Sequence, residues 1–307
     1  MTPSRWRELA PGQRAQLTIV DRASVDEDPV DSGPSSRVVF ETAESVIEAP
    51  NWNPGGDWLV FNSDGLLYRI KADGSGPPIR IPTGELNDSN NDHVLSPDGT
   101  CLFTSSQNGH LYRVPADGGP AQRVSDDADG LQARYLHGIS PDGTTLALIG
   151  CHQLRAAERF NIFTLSLIDG STRQLTDSDH HHDGAEYSPD GEWIYFNSDR
   201  ASTAKGHSQI FRMRPDGRDP QQLTFDTRVN WFPHLSPDGS SMVYLSYQSS
   251  VVGHPANKDV LLRQADPEGE SVRTVAGVFG GQGTINVNSW APDSQRFAYV
   301  AYPVRNR

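Results

Sequence analysis

Histidine is the residue type in this sequence whose positions most strongly suggest chemistry. His93, His137 and His234 each stand three or four residues before a recurring proline, and Glu186 holds the equivalent place in another copy of the same pattern. Imidazole and carboxylate groups are common ligands of divalent metals, and histidine also acts as a general acid or base near neutral pH. The set therefore indicates a bound divalent metal (Mn, Zn, Fe or Ca), acid–base chemistry without a metal, or a hydrated channel whose polar groups hold ordered water.

The recurring proline belongs to an internal repeat. Short alternating apolar runs such as 193–198 (WIYFNS) and 209–214 (QIFRMR) flank the Ser-Pro-Asp-Gly strings and predict four strands in each repeat. Each Pro-Asp-Gly predicts a tight turn, because proline fixes φ, aspartate bonds its own backbone and glycine accepts a positive φ. Four strands per repeat of this length are typical of a propeller blade. With two degenerate copies there are six such prolines, 43 to 55 residues apart: Pro54, Pro97, Pro141, Pro189, Pro237 and Pro292.

The two ends of the chain are predicted to meet in one blade. The last repeat ends after its second strand, whereas 16–21 and 37–41 read as a third and a fourth strand with no first pair before them. Such closure leaves no open strand edge between the ends of the ring. The sequence therefore predicts an all-β fold, a single six-bladed β-propeller of four-stranded antiparallel blades. The predicted boundaries are 1–13 for an N-terminal extension, 14–303 for the propeller and 304–307 for a tail.

A four-stranded meander places its connections on two faces of the ring. The Pro-Asp-Gly turns lie on one face, the turn face. The loops that lead into each innermost strand, and those between second and third strands, lie on the other, the histidine face, to which all ten histidines map. The candidate metal ligands near the axis are His93, His137, Glu186 and His234. The candidate ligand-binding residues close to them are Asp92, Asp183, Asn230, Trp231, Gln282, Asn286 and Asn288.

Composition excludes several classes of function. Lys and Arg number 26 against 39 Asp and Glu, which gives a net charge of −13 and argues against a nucleic-acid partner. No window is long and apolar enough for a transmembrane helix, and the N-terminal residues lack the apolar core of a secretory signal, so we expect a cytoplasmic protein. Two cysteines, Cys101 and Cys151, cannot form a disulfide framework and show no zinc-ligand spacing.

The Pro-Asp-Gly blades resemble the WD40-like (PD40) repeats of TolB-type β-propellers over nearly the whole chain. A looser resemblance connects the segment 230–239 (NWFPHLSPDG) to oligogalacturonate lyases, propellers whose central metal is held by histidines near such motifs. Where those lyases carry His-Pro-His, this segment has a single histidine, His234.

The lyase resemblance implies a metal-dependent elimination on a small acidic (uronide) oligosaccharide, with the metal held by the four candidate ligands. A cation, Arg155 or Lys258, would meet the substrate carboxylate, and His254 or His152 would be the base that removes the proton. The TolB resemblance implies a non-catalytic scaffold that binds a protein partner or another ligand. A gluconolactonase-like hydrolase is a third possibility.

Overall fold

A computed structural model describes residues 6–22, 35–154 and 157–305 of the chain. It confirms the predicted all-β architecture, a six-bladed propeller of antiparallel blades. Among the described residues, no helix has the length and apolarity needed to cross a membrane.

Five blades are continuous four-stranded meanders, each numbered from the axis outward. The first blade contains β3 (Glu48–Trp52), β4 (Trp58–Ser63), β5 (Leu66–Lys71) and β6 (Ile79–Arg80). The second contains β7 (Ser89–Leu95), β8 (Cys101–Ser106), β9 (Leu111–Pro115) and β10 (Gln122–Arg123). The third contains β11 (Ala133–Ile139), β12 (Thr145–Leu154), β13 (Ala157–Ser166) and β14 (Thr172–Gln174). The fourth contains β15 (His182–Tyr187), β16 (Ile194–Ser198), β17 (Gln209–Met213) and β18 (Gln221–Gln222). The fifth contains β19 (Val229–Leu235), β20 (Met242–Tyr247), β21 (Lys258–Ala265) and β22 (Arg273–Gly280).

The sixth blade is assembled from both ends of the chain. Its strands are β23 (Arg296–Ala301), β1 (Ala15–Asp21) and β2 (Ser36–Thr42), in that order from the axis outward. β1 pairs antiparallel with β23 in the register Gln16↔Ala301 to Asp21↔Arg296. On the axial side of β23, a single bridge between Trp290 and Phe297 replaces a regular first strand. The N-terminal strands therefore close the ring as predicted.

The Pro-Asp-Gly turns form as the sequence predicts. In the second blade, the Gly99 amide donates to the Ser96 carbonyl at 2.8 Å, and Gly99 has a φ of 69°. The Ser96 hydroxyl donates to Asp98, and this bond and others from Thr100 lower the pKa of Asp98 to about 2. The aspartates of these turns are thus ionised structural acceptors.

Each of the five regular innermost strands carries a bulge close to the axis. In three blades the bulge includes a residue with positive φ five places before the repeat proline, namely Ala49, Gly184 and Phe232. In the two of these blades that carry Glu186 and His234, the candidate residue stands three rather than four places before the proline. A bulge bends its strand and re-aims the next side chains, so the local bulge decides which residues face the axis.

The apolar core is divided among the six seams between neighbouring blades. Six clusters of buried side chains each combine residues of two adjacent blades. The seam between the sixth and first blades holds Leu17 and Val300 from the closing blade together with Ile47 and Leu59. Closure therefore buries apolar surface as well as pairing backbone.

Shortening the buried Leu17 side chain of the closing strand β1 should destabilise the whole ring. Because Leu17 is fully buried in the seam, Leu17→Ala should lower the free energy of unfolding by about 3 kcal/mol, measured by urea denaturation. Val38→Ala on the exposed neighbouring strand is the matched control and should change it by less than about 0.5 kcal/mol. Equal small losses in both variants would show that β1 does not close the ring.

Candidate functional site

The axis of the ring opens on the histidine face into a cavity of about 310 Å³, here called the axial cavity. The residues around it come from the innermost strands, from the loops that lead into them and from the loops between second and third strands, with one residue each from β12 and β13. The polar lining residues are Asn90, Asn91, Asp92, Gln107, His137, His181, Asp183, His254, Gln282 and Asn286. The other lining residues are Tyr135, Ile149, Phe160 and Phe232.

Asp183 is the electrostatic centre of the axial cavity. Its Oδ1 lies 2.8 Å from Nε2 of His137 in the neighbouring blade. Its Oδ2 lies 3.6 Å from Nε2 of His181 and 3.5 Å from Nε2 of His254. Three imidazoles from three blades therefore surround one carboxylate at the mouth of the axis.

The buried pair of Asp183 and His137 is an ion pair. Burial opposes ionisation of Asp183, but the hydrogen bond from His137 and the proximity of His181 and His254 hold the pKa of this carboxyl well below its usual range. Burial also disfavours the imidazolium, yet the charge of Asp92 and the hydrogen bond to Asp183 raise the pKa of His137 to about 9. The second ring nitrogen of His137, Nδ1, lies 3.1 Å from the carbonyl of Asn286, which can only accept.

Asp92 is a second carboxylate in the axial cavity, with a different environment. It is 4% exposed, and its Oδ2 accepts a hydrogen bond from Nδ2 of Asn90 at 3.0 Å. Its Oδ1 is buried and has no hydrogen-bond partner within the described part of the chain. Burial raises the pKa of Asp92 to about 7, although His137 acts against this shift. Asp92 thus differs from Asp183 in lacking a set of imidazole partners.

His254, one of the two predicted bases, enters the cavity from the loop between β20 and β21. Its Nδ1 is hydrogen-bonded to Oε1 of Gln282. Its ring centroid lies 4.3 Å from that of Trp231 and 5.1 Å from that of Phe232. Burial lowers the pKa of His254, so this imidazole is neutral at pH 7. Trp231, a candidate ligand residue, packs behind His254 and does not line the cavity.

The four candidate metal ligands do not meet at one point. His234 uses both ring nitrogens, since Nδ1 lies 2.6 Å from Oε2 of Glu186 and Nε2 lies 2.6 Å from the carbonyl of Ile285. His137 likewise uses both nitrogens, as described above. No ring lone pair of either histidine is left for a metal, and the described residues contain no group of three His, Cys, Asp or Glu side chains arranged to bind one. These residues do not fit the implied metal.

His93 and two of the predicted amide residues, Asn230 and Asn288, contact other parts of the protein and lie away from the axial cavity. His93 is completely buried, beside the backbone of Val60 in the first blade, and burial lowers its pKa to about 4. Asn288 donates to Oε1 of Glu186 at 2.6 Å and to the carbonyl of Leu235. The side chain of Asn230 bonds within its own and the preceding blade, to Thr224 and Ser246 among others. None of these three lines the axial cavity.

The predicted catalytic residues are scattered. Of the four, His254 lines the axial cavity. Lys258 is exposed at the start of β21, and His152 packs against Phe163 on the β12–β13 hairpin, with 5.5 Å between ring centroids. Arg155 lies outside the described residues. The predicted ligand residues that do line the cavity are Asp92, Asp183, Gln282 and Asn286.

His181 and Tyr135 are cavity residues that the sequence reasoning did not select. A signal for His181 was present, because it stands two places before Asp183 on an extended segment and so projects to the same side. Tyr135 has the same two-residue relation to His137. Alternation along the innermost strands, counted from a known cavity residue, would have found both.

A second opening lies at the axis on the turn face. It has a volume of about 330 Å³, and all six repeat prolines line it together with Trp52 and Trp290. Glu186 and Asn288 line this opening, and His137 lines both cavities. His137 therefore lies between the polar and the apolar halves of the axis.

Comparison with known proteins agrees with this architecture. The TolB β-propeller domain family (PD40) matches residues 137–261. The uncharacterized protein Atu1656 of Agrobacterium fabrum is 39% identical over 266 residues, covering 87% of this chain and 88% of that protein. A solved structure assigned to TolB from Agrobacterium tumefaciens is 36% identical, with a TM-score of 0.84 over 95% of this chain and 99% of that one. The fold and repeats define a TolB-type propeller, and the chain belongs to the TolB β-propeller family.

The similarity to oligogalacturonate lyases is limited to the fold. An oligogalacturonate lyase solved in complex with manganese is 16% identical, with a TM-score of 0.54 over 89% of this chain and 75% of that chain. At this identity the shared feature is the propeller architecture.

The ion pair of His137 and Asp183 predicts a pH-dependent stability. Because the folded-state pKa of His137 is raised to about 9, its contribution is complete below the unfolded pKa near 6.5 and is lost as the pH rises through 9. Between pH 7 and pH 10 the free energy of unfolding should fall by roughly 2 to 3 kcal/mol more in the wild type than in His137→Gln. Urea denaturation at both pH values measures this difference. Equal pH dependence in the two proteins would contradict the ion pair.

Proposed function

We propose that this TolB-type propeller binds a small saccharide without a carboxylate, one or two sugar units long, in the axial cavity of the histidine face. The observation that carries the proposal is the lining of the cavity, which combines amide, imidazole and carboxylate groups with aromatic rings in a volume of about 310 Å³. This volume is at the lower end of the range for small-molecule sites, about 300 to 1,000 Å³.

The amide groups of the cavity suit sugar hydroxyls. Each amide offers two N–H donors and a carbonyl acceptor, and a hydroxyl can both donate and accept. Asn90 and Gln107 of the second blade and Asn286 of the sixth blade line the cavity, so a ring bound between them would be contacted from two sides. Tyr135 and Phe232 offer apolar faces for the C–H side of a sugar ring.

The charges of the cavity favour a saccharide over a uronide. Asp92 and Asp183 line the cavity, and the facing cation, His137, is already paired with Asp183. No lysine or arginine among the described residues lines it. Elimination on a uronide needs a cation to neutralise the substrate carboxylate. The uronide lyase suggested by the sequence therefore has less support than saccharide binding.

Calorimetry with a panel of neutral, amino and uronic mono- and disaccharides tests the proposal. Tyr135→Ala should weaken the binding of the best saccharide about 10-fold, equivalent to roughly 1.4 kcal/mol. Tyr187→Ala is the matched control, because Tyr187 lines the opening on the turn face, and it should leave the affinity within about twofold.

Three results would contradict saccharide binding in this cavity. They are the absence of binding across the panel, a loss of binding in Tyr187→Ala instead of Tyr135→Ala, and preferential binding of uronides. If uronides also gave new absorbance near about 235 nm, where an unsaturated uronide formed by elimination absorbs, the lyase would replace this proposal.

A further inference from the structure

The unpartnered oxygen of Asp92 is the feature of the axial cavity that saccharide binding alone leaves unexplained. Asp92 is 4% exposed, and its Oδ2 and backbone amide are both bonded to the side chain of Asn90. Its Oδ1 has no donor within the described residues. A buried carboxylate oxygen without a donor costs free energy. A ligand group that donates to it would therefore gain more binding free energy than it would at an ordinary exposed site.

The surroundings of Asp92 indicate that this donor is cationic. Asp183 adds a second carboxylate to the cavity, and the imidazolium of His137 is bonded to Asp183 at 2.8 Å. Arg7, on the N-terminal segment, pairs with the partly buried Glu48 at 3.2 Å and does not line the cavity. The described lining thus contains two carboxyl groups, and the imidazolium of His137 is already paired with one of them.

Aromatic rings in the cavity favour the same kind of group. Tyr135, Phe160 and Phe232 line it, and a cation within about 6 Å of a ring centroid is attracted by the negative face of the ring. An ammonium group placed between a carboxylate and such rings would be attracted by both.

We propose that the axial cavity recognises a saccharide that carries a protonated amine, an amino sugar, whose ammonium group donates to Oδ1 of Asp92. This inference rests on the proposed saccharide binding and names its substrate class. A charge-assisted hydrogen bond replaces the missing donor, while the sugar hydroxyls use the amides of the cavity. The ring of the ligand, and not the amine alone, would set the position of the ammonium group.

Matched ligands isolate the contribution of the charge. Glucosamine and galactosamine are compared with glucose and galactose and with the N-acetyl forms, in which acetylation removes the charge and keeps the ring. Calorimetry on the full chain at pH 7 should show the amino sugar bound about 10- to 100-fold more tightly than either neutral counterpart. The comparison uses the unmodified protein, so it does not depend on any variant folding.

Asp92→Asn then assigns the effect to one carboxylate. The variant should reduce the preference for the amino sugar to within about threefold while neutral sugars still bind. Asp98→Asn makes the same chemical change on the turn face, where Asp98 is a turn acceptor, and should keep the full preference.

The outcomes separate this inference from the proposed function. If neutral and amino sugars bind equally well, or if Asp92→Asn keeps the preference, amine recognition by Asp92 is overturned and saccharide binding stands. If no sugar binds, the proposed function itself fails. Amine preference that is lost in Asp92→Asn and kept in Asp98→Asn supports the inference.

Discussion

The antiparallel pairing of β1 with β23 is the contact on which the rest of the molecule depends. It joins the two ends of the chain in one blade and brings Leu17 into the seam with Val300. With the ring closed, the innermost segments of the six blades run side by side around one axis. Groups that are far apart in the sequence then meet, as when His137 contacts both Asp183 of the neighbouring blade and the carbonyl of Asn286 near the end of the chain.

The two ends of the axis differ in polarity because different residues surround the ends of the innermost strands on the two faces. On the turn face, the repeat prolines and tryptophans make an apolar mouth, and the turn aspartates are occupied by hydroxyl and amide donors. On the histidine face, a buried carboxylate can remain ionised because imidazoles surround it. Asp183 has three such neighbours, whereas Asp92 has an amide on one oxygen and no partner on the other among the described residues. Two carboxylates in one cavity thus have distinct environments, and Asp92 is the one with an oxygen left without a donor among the described residues.

The sequence predicts the fold far better than the site. Turns and strands follow from local chemistry, so the Pro-Asp-Gly copies and the alternating runs locate the blades and even the closing strands. The direction of an axial side chain depends on a bulge of one residue, which the repeat spacing alone does not reveal. His93 was predicted at the axis, but it is buried beside the neighbouring blade, and the adjacent Asp92 lines the cavity instead.

Hydrogen-bond partners explain the other differences. Whether His234 could bind a metal depends on Glu186 and the carbonyl of Ile285, and the latter comes from a distant part of the chain. His254, Gln282 and Asn286 were predicted correctly because they lie on loops at the histidine face, and the topology determines that face.

The most direct measurement of the central claim is a crystal structure of the protein with a bound saccharide. Saccharide density in the axial cavity, with a donor about 3 Å from Oδ1 of Asp92, is the predicted result. Density at the turn-face opening, or an axial cavity that holds only water at saturating saccharide, would contradict it.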